Sequence, residues 1–137
     1  MTGEAMDPRI ARVVTTLEKD LSQRVTLPSL AASVNLSPSR FALLFHQEVG
    51  ISPGRFVRYR RLERARVLLE TTSLSVREIM SAVAMTDPGR FARDFRNRFG
   101  MRPLEWRVAT EEARRQSKRL DDSKELSRLI DDILELL

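Results

Sequence analysis

Apolar residues recur along the chain at intervals of three and four positions, and no segment sustains an alternation of apolar and polar residues. This spacing predicts amphipathic helices throughout. Several helices are expected to begin with a capping side chain followed by proline, which is well tolerated at the first helical position. These start signals are Asp7-Pro8, Ser37-Pro38, Ser52-Pro53 and Asp87-Pro88. The sequence predicts an all-α fold, with a long helix from Pro53 to about Glu70 and a short last turn at Pro103 that carries Trp106.

One segment of the chain is repeated about 50 residues later. Its matching positions are Phe41, Phe45, Gly50 and Pro53 in the first copy and Phe91, Phe95, Gly100 and Pro103 in the second. Each copy has the pattern of a short helix, a tight turn and a second helix, which is the helix-turn-helix unit of DNA-binding proteins. Two units separated by the long helix would reach two major grooves about 34 Å apart without a dimer. The phenylalanines at helical spacing are expected in the cores of these units.

The composition narrows the chemistry that the chain can perform. Its 137 residues fit one domain, and 21 of its 24 basic side chains are arginines, which give a net charge of +5. The absence of cysteine excludes disulfides and thiolate metal sites, and a single histidine, His46, argues against a multi-histidine metal site. No apolar run approaches the ~18 residues of a membrane span, and no signal-peptide core is visible. We expect a cytoplasmic protein with an anionic partner and with no cofactor, metal site or catalytic residue.

Further motifs resemble a known family. Leu30-Ala31, Gly50-Ile51-Ser52-Pro53, Arg61-Leu62 and the stretch 96–107 (RNRFGMRPLEWR) are similar to the DNA-binding domain of the AraC/XylS transcription regulators. The resemblance covers residues 8–108 and implies two helix-turn-helix subdomains, 8–52 and 72–108, joined by a linker helix, 53–71. Residues 109–137 follow as a C-terminal helical tail. In length the chain is similar to the small stand-alone members, which have no ligand-binding domain.

The resemblance also implies which side chains meet double-stranded DNA. The base contacts are expected at Ser39, Ala42, Leu43, Gly89, Arg90 and Arg93. Phosphate contacts are expected at Arg40, His46, Arg55, Arg58, Arg96 and Asn97, with Arg60, Arg61, Arg64 and Arg98 as further candidates. An arginine at position 93 would suit bidentate pairing with guanine. Arg61 has an alternative interpretation as a buried structural ion-pair partner.

The chain departs from the family pattern at both reading helices. Leu43 stands where an arginine is common, and Ala42 lies beside it, so neither side chain can hydrogen-bond a base. Leu43 could contact a thymine methyl group, belong to a protein-contact patch, or simply be tolerated. Pro88-Gly89 replaces a usual polar pair, and Ala84 replaces a usual glycine at the second turn. We therefore expect the second unit to read most of the sequence information.

The tail differs from the body in charge and pattern. Residues 1–110 hold 18 basic and 11 acidic side chains, whereas residues 120–137 hold 2 and 6. An apolar stripe with an acidic far side is predicted from Leu126, Leu129, Ile130, Ile133 and Leu137. Three partners remain open at this point: the chain's own body, where an acidic helix would be autoinhibitory, a second copy, or another protein such as RNA polymerase.

Two functions from different classes fit the sequence. The first is a transcription regulator that inserts two recognition helices into adjacent major grooves of an asymmetric DNA site. The alternative is a protein-interaction module that uses the leucine-rich tail and the first recognition face, with DNA contact accessory. Oligomeric state is left open by both, and neither is an enzyme.

Overall fold

A computed structural model describes residues 5–22 and 24–137 of the chain; residues 1–4 and 23 lie outside this description. Every regular element among the described residues is an α-helix, which confirms the predicted fold class. The seven helices are α1 (Pro8–Lys19), α2 (Leu27–Ser33), α3 (Pro38–Val49), α4 (Pro53–Thr71), α5 (Val76–Ala82), α6 (Pro88–Phe99) and α7 (Pro103–Glu135).

The helix ends follow from local side chains. The hydroxyl or carboxylate of the residue before each predicted start accepts a hydrogen bond from a backbone N–H of the first turn, as in α1, α3, α4 and α6. Ser75 and Glu78 form the reciprocal capping box at the start of α5. Gly50 and Gly100 end α3 and α6 with φ of +92° and +83°, a backbone conformation that glycine adopts without a steric penalty.

Buried apolar side chains form two clusters, and α4 contributes to both. The first cluster holds Ile10, Val13, Leu17, Ala31, Val34, Phe41, Phe45 and Val57. The second holds Leu62, Ala65, Leu68, Leu69, Ile79, Met80, Val83, Phe91 and Phe95. The expected core phenylalanines are therefore buried, and Phe99 packs at the edge of the second cluster. Because one rigid helix supplies Val57 to one cluster and Leu62 to the other, the two helix-turn-helix units are held by a common strut.

The two turns between paired helices use the same left-handed backbone conformation. Asn35, between α2 and α3, has φ of +58°, and Ala84, between α5 and α6, has φ of +56°. Asparagine tolerates this region well, whereas alanine pays a steric cost because its Cβ approaches the backbone. Arg61 of α4 donates from Nη1 to the carbonyl oxygen of Ala84 at 3.4 Å, so the linker helix contacts the second turn directly.

The first turns of α7 are fixed to α4 by polar and aromatic contacts. The indole N–H of Trp106 donates to Glu70 Oε2 at 2.9 Å, and Arg66 forms an ion pair with the same oxygen at 2.7 Å. Arg107 donates to the carbonyl oxygens of Leu69 and Thr72, both at 3.2 Å, and thereby satisfies groups at the C-terminal end of α4. The Trp106 ring packs against two phenylalanines, at 6.2 Å from Phe95 and 5.6 Å from Phe99.

The prediction of a short last turn at Pro103 was wrong. α7 continues without a break to Glu135, because residues 104–137 contain no proline or glycine and are rich in strong helix formers. The tail does not fold back on the body either: every residue from Glu111 to Leu137 is exposed. The stripe that the sequence predicted is therefore uncovered in the isolated chain, and the autoinhibitory contact is absent from the described residues.

Replacement of Ala84 by glycine is expected to stabilise the protein by about 0.5–1 kcal/mol, because it removes the left-handed strain of an L residue at this turn. Ala82→Gly is the matched control: Ala82 ends α5 with helical geometry, so glycine there should destabilise by about 0.5–1 kcal/mol. Chemical denaturation of the three proteins measures both changes. Destabilisation by Ala84→Gly would mean that the methyl group packs more favourably than its backbone strain costs.

A second prediction concerns acid stability. Burial raises the pKa of Glu70, but hydrogen bonds from Trp106 and Arg66 and the charges of Arg66 and Arg114 outweigh it, so the pKa lies below its ordinary value of 4.5. Because the folded-state pKa is depressed, this stabilisation is present above pH 4.5 and is lost as the pH falls through the folded-state pKa. Glu70→Gln should destabilise by about 1–2 kcal/mol at neutral pH. Urea unfolding at a series of pH values should show this difference shrinking below pH 4.5; a difference independent of pH would contradict the assigned role of the carboxylate.

Candidate nucleic-acid interface

The second helices of the two units, α3 and α6, present matching outward positions with very different chemistry. α3 carries one arginine, Arg40, and one glutamate, Glu48, whereas α6 carries four arginines and one aspartate. Leu43 of α3 and Arg93 of α6 occupy the same place in the repeat, and both are exposed. Both helices bury a pair of phenylalanines at the same positions of the repeat. They differ in the charge of their exposed sides, which determines how strongly each attracts a polyanion.

The positions on α3 that were predicted to contact DNA lie on the outer side of the helix. Ser39, Arg40, Leu43 and His46 are exposed, and Ala42 is half-buried. Leu43 is 61 % exposed. This face is therefore largely neutral, with an apolar side chain at its centre.

The positions predicted on α6 form a continuous basic face. Gly89, Arg93, Arg96 and Asn97 are exposed, and they border a shallow concavity together with Ala92 and Arg102. Arg90 is exposed as well, but its Nε lies 3.6 Å from Asp94 Oδ2, so part of its charge is already paired within the helix. Of the two arginines predicted to contact bases, Arg93 is thus the one with no ion pair among the described residues.

The structure adds Arg102 to this face, although the sequence did not predict a DNA contact at this residue. It immediately precedes α7, where its repeat counterpart Ser52 caps α4 through the side-chain oxygen. A guanidinium cannot accept a hydrogen bond, so position 102 gives up a favourable cap and presents a cation instead. The comparison with Ser52 at the 50-residue offset is the signal that could have identified it. Such a departure from a local rule is typical of functional positions.

The arginines of the linker helix divide into exposed and internally bound groups. Arg55 is exposed at the start of α4, and Arg58 is half-buried on a cleft, so both predicted phosphate contacts are accessible. Arg60 pairs with Glu18 of α1 and lies over the Phe56 ring at 5.4 Å. Arg98, of α6, lies 4.8 Å from the centre of the Tyr59 ring and 3.4 Å from Glu63. Arg60 and Arg98 therefore connect helices, which leaves them less suited to DNA than the sequence suggested.

A cleft of about 600 Å³ separates the two units beside the start of α4. Four arginines line it, Arg24, Arg58, Arg61 and Arg90, together with Asp87. Burial lowers the pKa of Arg61, which remains charged because the ordinary value is far above neutrality. Arg24 is a second basic residue that the sequence analysis did not select. The cleft gathers positive charge between α2, the start of α4 and the start of α6.

A metal-ligand cluster and a membrane-spanning helix are both absent from residues 5–22 and 24–137. No group of three or more potential ligands is arranged to hold a metal ion there. None of the described helices combines the length and the apolar character that crossing a bilayer requires.

Comparison with known proteins identifies the family. A helix-turn-helix domain family matches residues 30–109, a stretch that runs from the middle of α2 to the early part of α7. The chain belongs to the AraC-type helix-turn-helix family. It is 33 % identical over 100 residues to the HTH-type transcriptional regulator GbdR of Pseudomonas aeruginosa, covering 73 % of this chain and 27 % of that protein. It is 32 % identical over 108 residues to the arabinose operon regulatory protein of Escherichia coli K12, covering 78 % and 37 %.

The AraC-type chain thus spans between a quarter and two fifths of the length of these two relatives. Solved structures agree with the assignment. The DNA-binding domain of AdpA, solved in complex with a target DNA, matches with a TM-score of 0.76 and 27 % identity over 80 % of this chain and 99 % of that one. The C-terminal domain of AraT, a response regulator from Geobacillus stearothermophilus, matches with a TM-score of 0.72 and 30 % identity over 77 % and 88 %. These relatives are regulators, in line with the expectation that the chain is not an enzyme.

Replacement of Arg102 by serine should weaken DNA binding without lowering the stability of the fold. Serine restores an N-cap to α7, which is expected to leave stability unchanged or to raise it by about 0.5–1 kcal/mol. Loss of one phosphate contact should reduce the slope of log K against log salt concentration by about 0.9. Fluorescence anisotropy with a DNA duplex over a salt series measures this slope.

Arg128→Ser, on the exposed face of α7 far from the concavity, is the matched control and should leave the slope unchanged. Equal slopes for Arg102→Ser and the parent protein would remove Arg102 from the interface.

Proposed function

We propose that this AraC-type chain regulates transcription by inserting α3 and α6 into adjacent major grooves of an asymmetric DNA site. The observation that carries the proposal is the repeated unit: two reading helices, each on its own core, share one strut. Both units pack on α4, a single helix of 19 residues, so their spacing is fixed. Two helices in successive major grooves on one side of B-DNA need a fixed spacing of ~34 Å.

The charge distribution supports unequal roles for the two helices. α6 presents Arg93 for bases and Arg96 and Asn97 for phosphates, and Arg102 lies beside them at the start of α7. α3 presents Leu43 at the equivalent of Arg93. Arginine pairs with guanine through two hydrogen bonds, but leucine offers only apolar contact, for which the thymine methyl group is the available partner. We infer that α6 selects the sequence and that α3 adds affinity and a weaker preference for thymine. Arg40, Arg55 and Arg58 hold the phosphates between the two grooves.

A second candidate function is favoured by one observation, the exposure of Leu43 at 61 %. In this alternative, the exposed face of α3 and the apolar stripe of α7 bind a protein such as RNA polymerase, and contact with DNA is accessory. The two functions differ in their response to salt. Phosphate contacts release counterions, so a DNA reader with several of them loses affinity steeply as salt rises, whereas an accessory contact gives a shallow slope.

The test is enrichment of fragmented genomic DNA on the purified protein, followed by sequencing. We expect an asymmetric motif whose two blocks lie about one helical turn, ~10 base pairs, apart. The block read by α6 should contain a guanine that Arg93 contacts. Arg93→Ala should lose discrimination at one or two positions of that block, by about 1–3 kcal/mol each, and should leave the other block unchanged.

Arg96→Ala is the matched control, because a phosphate contact weakens binding to all sequences by a similar factor. A motif that Arg93→Ala leaves intact would remove the assigned role of Arg93. Retention of DNA without any enriched motif would contradict sequence reading as a whole and favour the interaction module.

A further inference from the structure

The distal part of α7 is an exposed amphipathic helix with a wide apolar side. From Leu126 onward it carries seven large apolar side chains, each at least 54 % exposed: Leu126, Leu129, Ile130, Ile133, Leu134, Leu136 and Leu137. We call these seven residues the tail stripe. Large exposed apolar patches on folded proteins mark interaction surfaces. The structure of the isolated chain leaves this one without a partner among the described residues.

The tail stripe, residues 126–137, fits a seven-residue pattern over fewer than two repeats. With Ile130 and Leu137 at position a, Leu126 and Ile133 take position d, and the remaining three stripe residues take the flanking positions e and g. Positions b, c and f are charged throughout, at Lys124, Glu125, Arg128, Asp131, Asp132 and Glu135. Four of the seven positions are thus available for apolar contact. This is wider than the two-position seam of a two-stranded coiled coil and suits a helix with more than one neighbour.

The chain's own body is not the partner in this conformation. Thr110 is the last residue of α7 that is not fully exposed, and Leu126 lies 16 residues further along the same helix. At 1.5 Å per residue, the tail stripe therefore begins about 24 Å beyond the body. The fixed attachment of Trp106 and Arg107 to α4 keeps the helix pointing away.

We propose that the tail stripe packs against the tail stripes of further copies of this chain, so that the protein self-associates through the end of α7. This goes beyond DNA recognition by the body. The tail stripe is self-complementary, because an uninterrupted apolar surface needs only another apolar surface of the same length. The seven side chains are between 54 % and 97 % exposed, and they supply apolar area toward the roughly 800 Å² that each partner of a stable complex buries.

The charges around the tail stripe favour a second copy over a basic partner. The acidic residues lie at positions b, c and f, on the side opposite the stripe, so a partner selected by its positive charge would cover the charged side and leave the leucines exposed. In a bundle of tails those charges stay in water. Their mutual repulsion is modest, because ions screen exposed charges beyond about 10 Å at 0.1 M salt.

Association of the tails would place two or more DNA-binding bodies on one particle. A body bound to its site would then hold a second body at high local concentration, which raises affinity for pairs of sites without any new protein–DNA contact. Each body already recognises a complete site through its two units, so the tail would govern how many sites are occupied together.

The experiment is sedimentation equilibrium of the full chain across the micromolar range. We expect a mass of at least two copies. Ile130→Asp puts a charge at the centre of the tail stripe and should give a monomer, whereas Arg128→Asp, the same new side chain on the opposite side of the helix, should keep the mass of the parent. A monomeric parent protein throughout the range, or equal masses for the two variants, would overturn the proposal.

Two further measurements distinguish apolar association of the tails from unfolding of the body and from charge pairing. Ile130→Asp should bind a single DNA site as tightly as the parent protein, which shows that its body is folded, and should lose any advantage on duplexes with two sites. The mass of the parent should be unchanged or larger at high salt, because apolar contacts remain and acidic repulsion is screened. Dissociation at high salt would assign the contact to charge pairs and contradict association through the tail stripe.

Discussion

The geometry of the whole molecule depends on a single helix that lies in two hydrophobic cores. Val57 of α4 packs among residues of α1, α2 and α3, and one to three turns later Leu62, Ala65 and Leu69 pack among residues of α5 and α6. Protein interiors are close-packed and resist deformation, so each unit is fixed on its own stretch of α4. The separation and relative rotation of the reading helices are consequently set by the rise and twist of one α-helix. A flexible linker would leave both quantities undetermined.

Two layers of polar contacts reinforce this strut. On one side, Arg60 pairs with Glu18 of α1, and on the other, Arg98 of α6 contacts Tyr59 and Glu63. In sequence these arginines resemble the ones predicted to contact DNA, because all of them belong to an arginine-rich helical pattern. The structure distinguishes the two groups of arginines by whether their guanidinium groups contact other residues of the protein or face solvent. Partners within the protein bind some guanidinium groups, whereas others, such as those of Arg93 and Arg96 on α6, are exposed.

Much of the fold could be predicted from the sequence, because the helix boundaries depend on side chains that lie within a few residues of them. Ser52 and Ser75 cap their helices through contacts within four residues, and Phe41 and Phe45 are buried because their spacing puts them on one side of α3. The continuity of α7 was missed because a proline start signal gives no information on where a helix ends. The contacts that Arg98 makes within the protein could not be predicted, for a different reason. Whether an arginine faces solvent, an aromatic ring or a carboxylate depends on residues 35 or more positions away, and a single sequence does not show which of these come together.

The attachment of α7 to α4 has a consequence for how the chain can change in evolution. Trp106 and Arg107 fix the direction in which α7 leaves the body, and the helix then runs to Glu135 without a break. One residue inserted anywhere between positions 110 and 125 would rotate everything beyond it by about 100° about the helix axis and move it outward by about 1.5 Å. The apolar side would then face a different direction relative to bound DNA. Insertions in this part of α7 therefore preserve the direction of the apolar side only at certain lengths. An insertion of seven residues nearly restores the original direction, whereas an insertion of two residues reverses it.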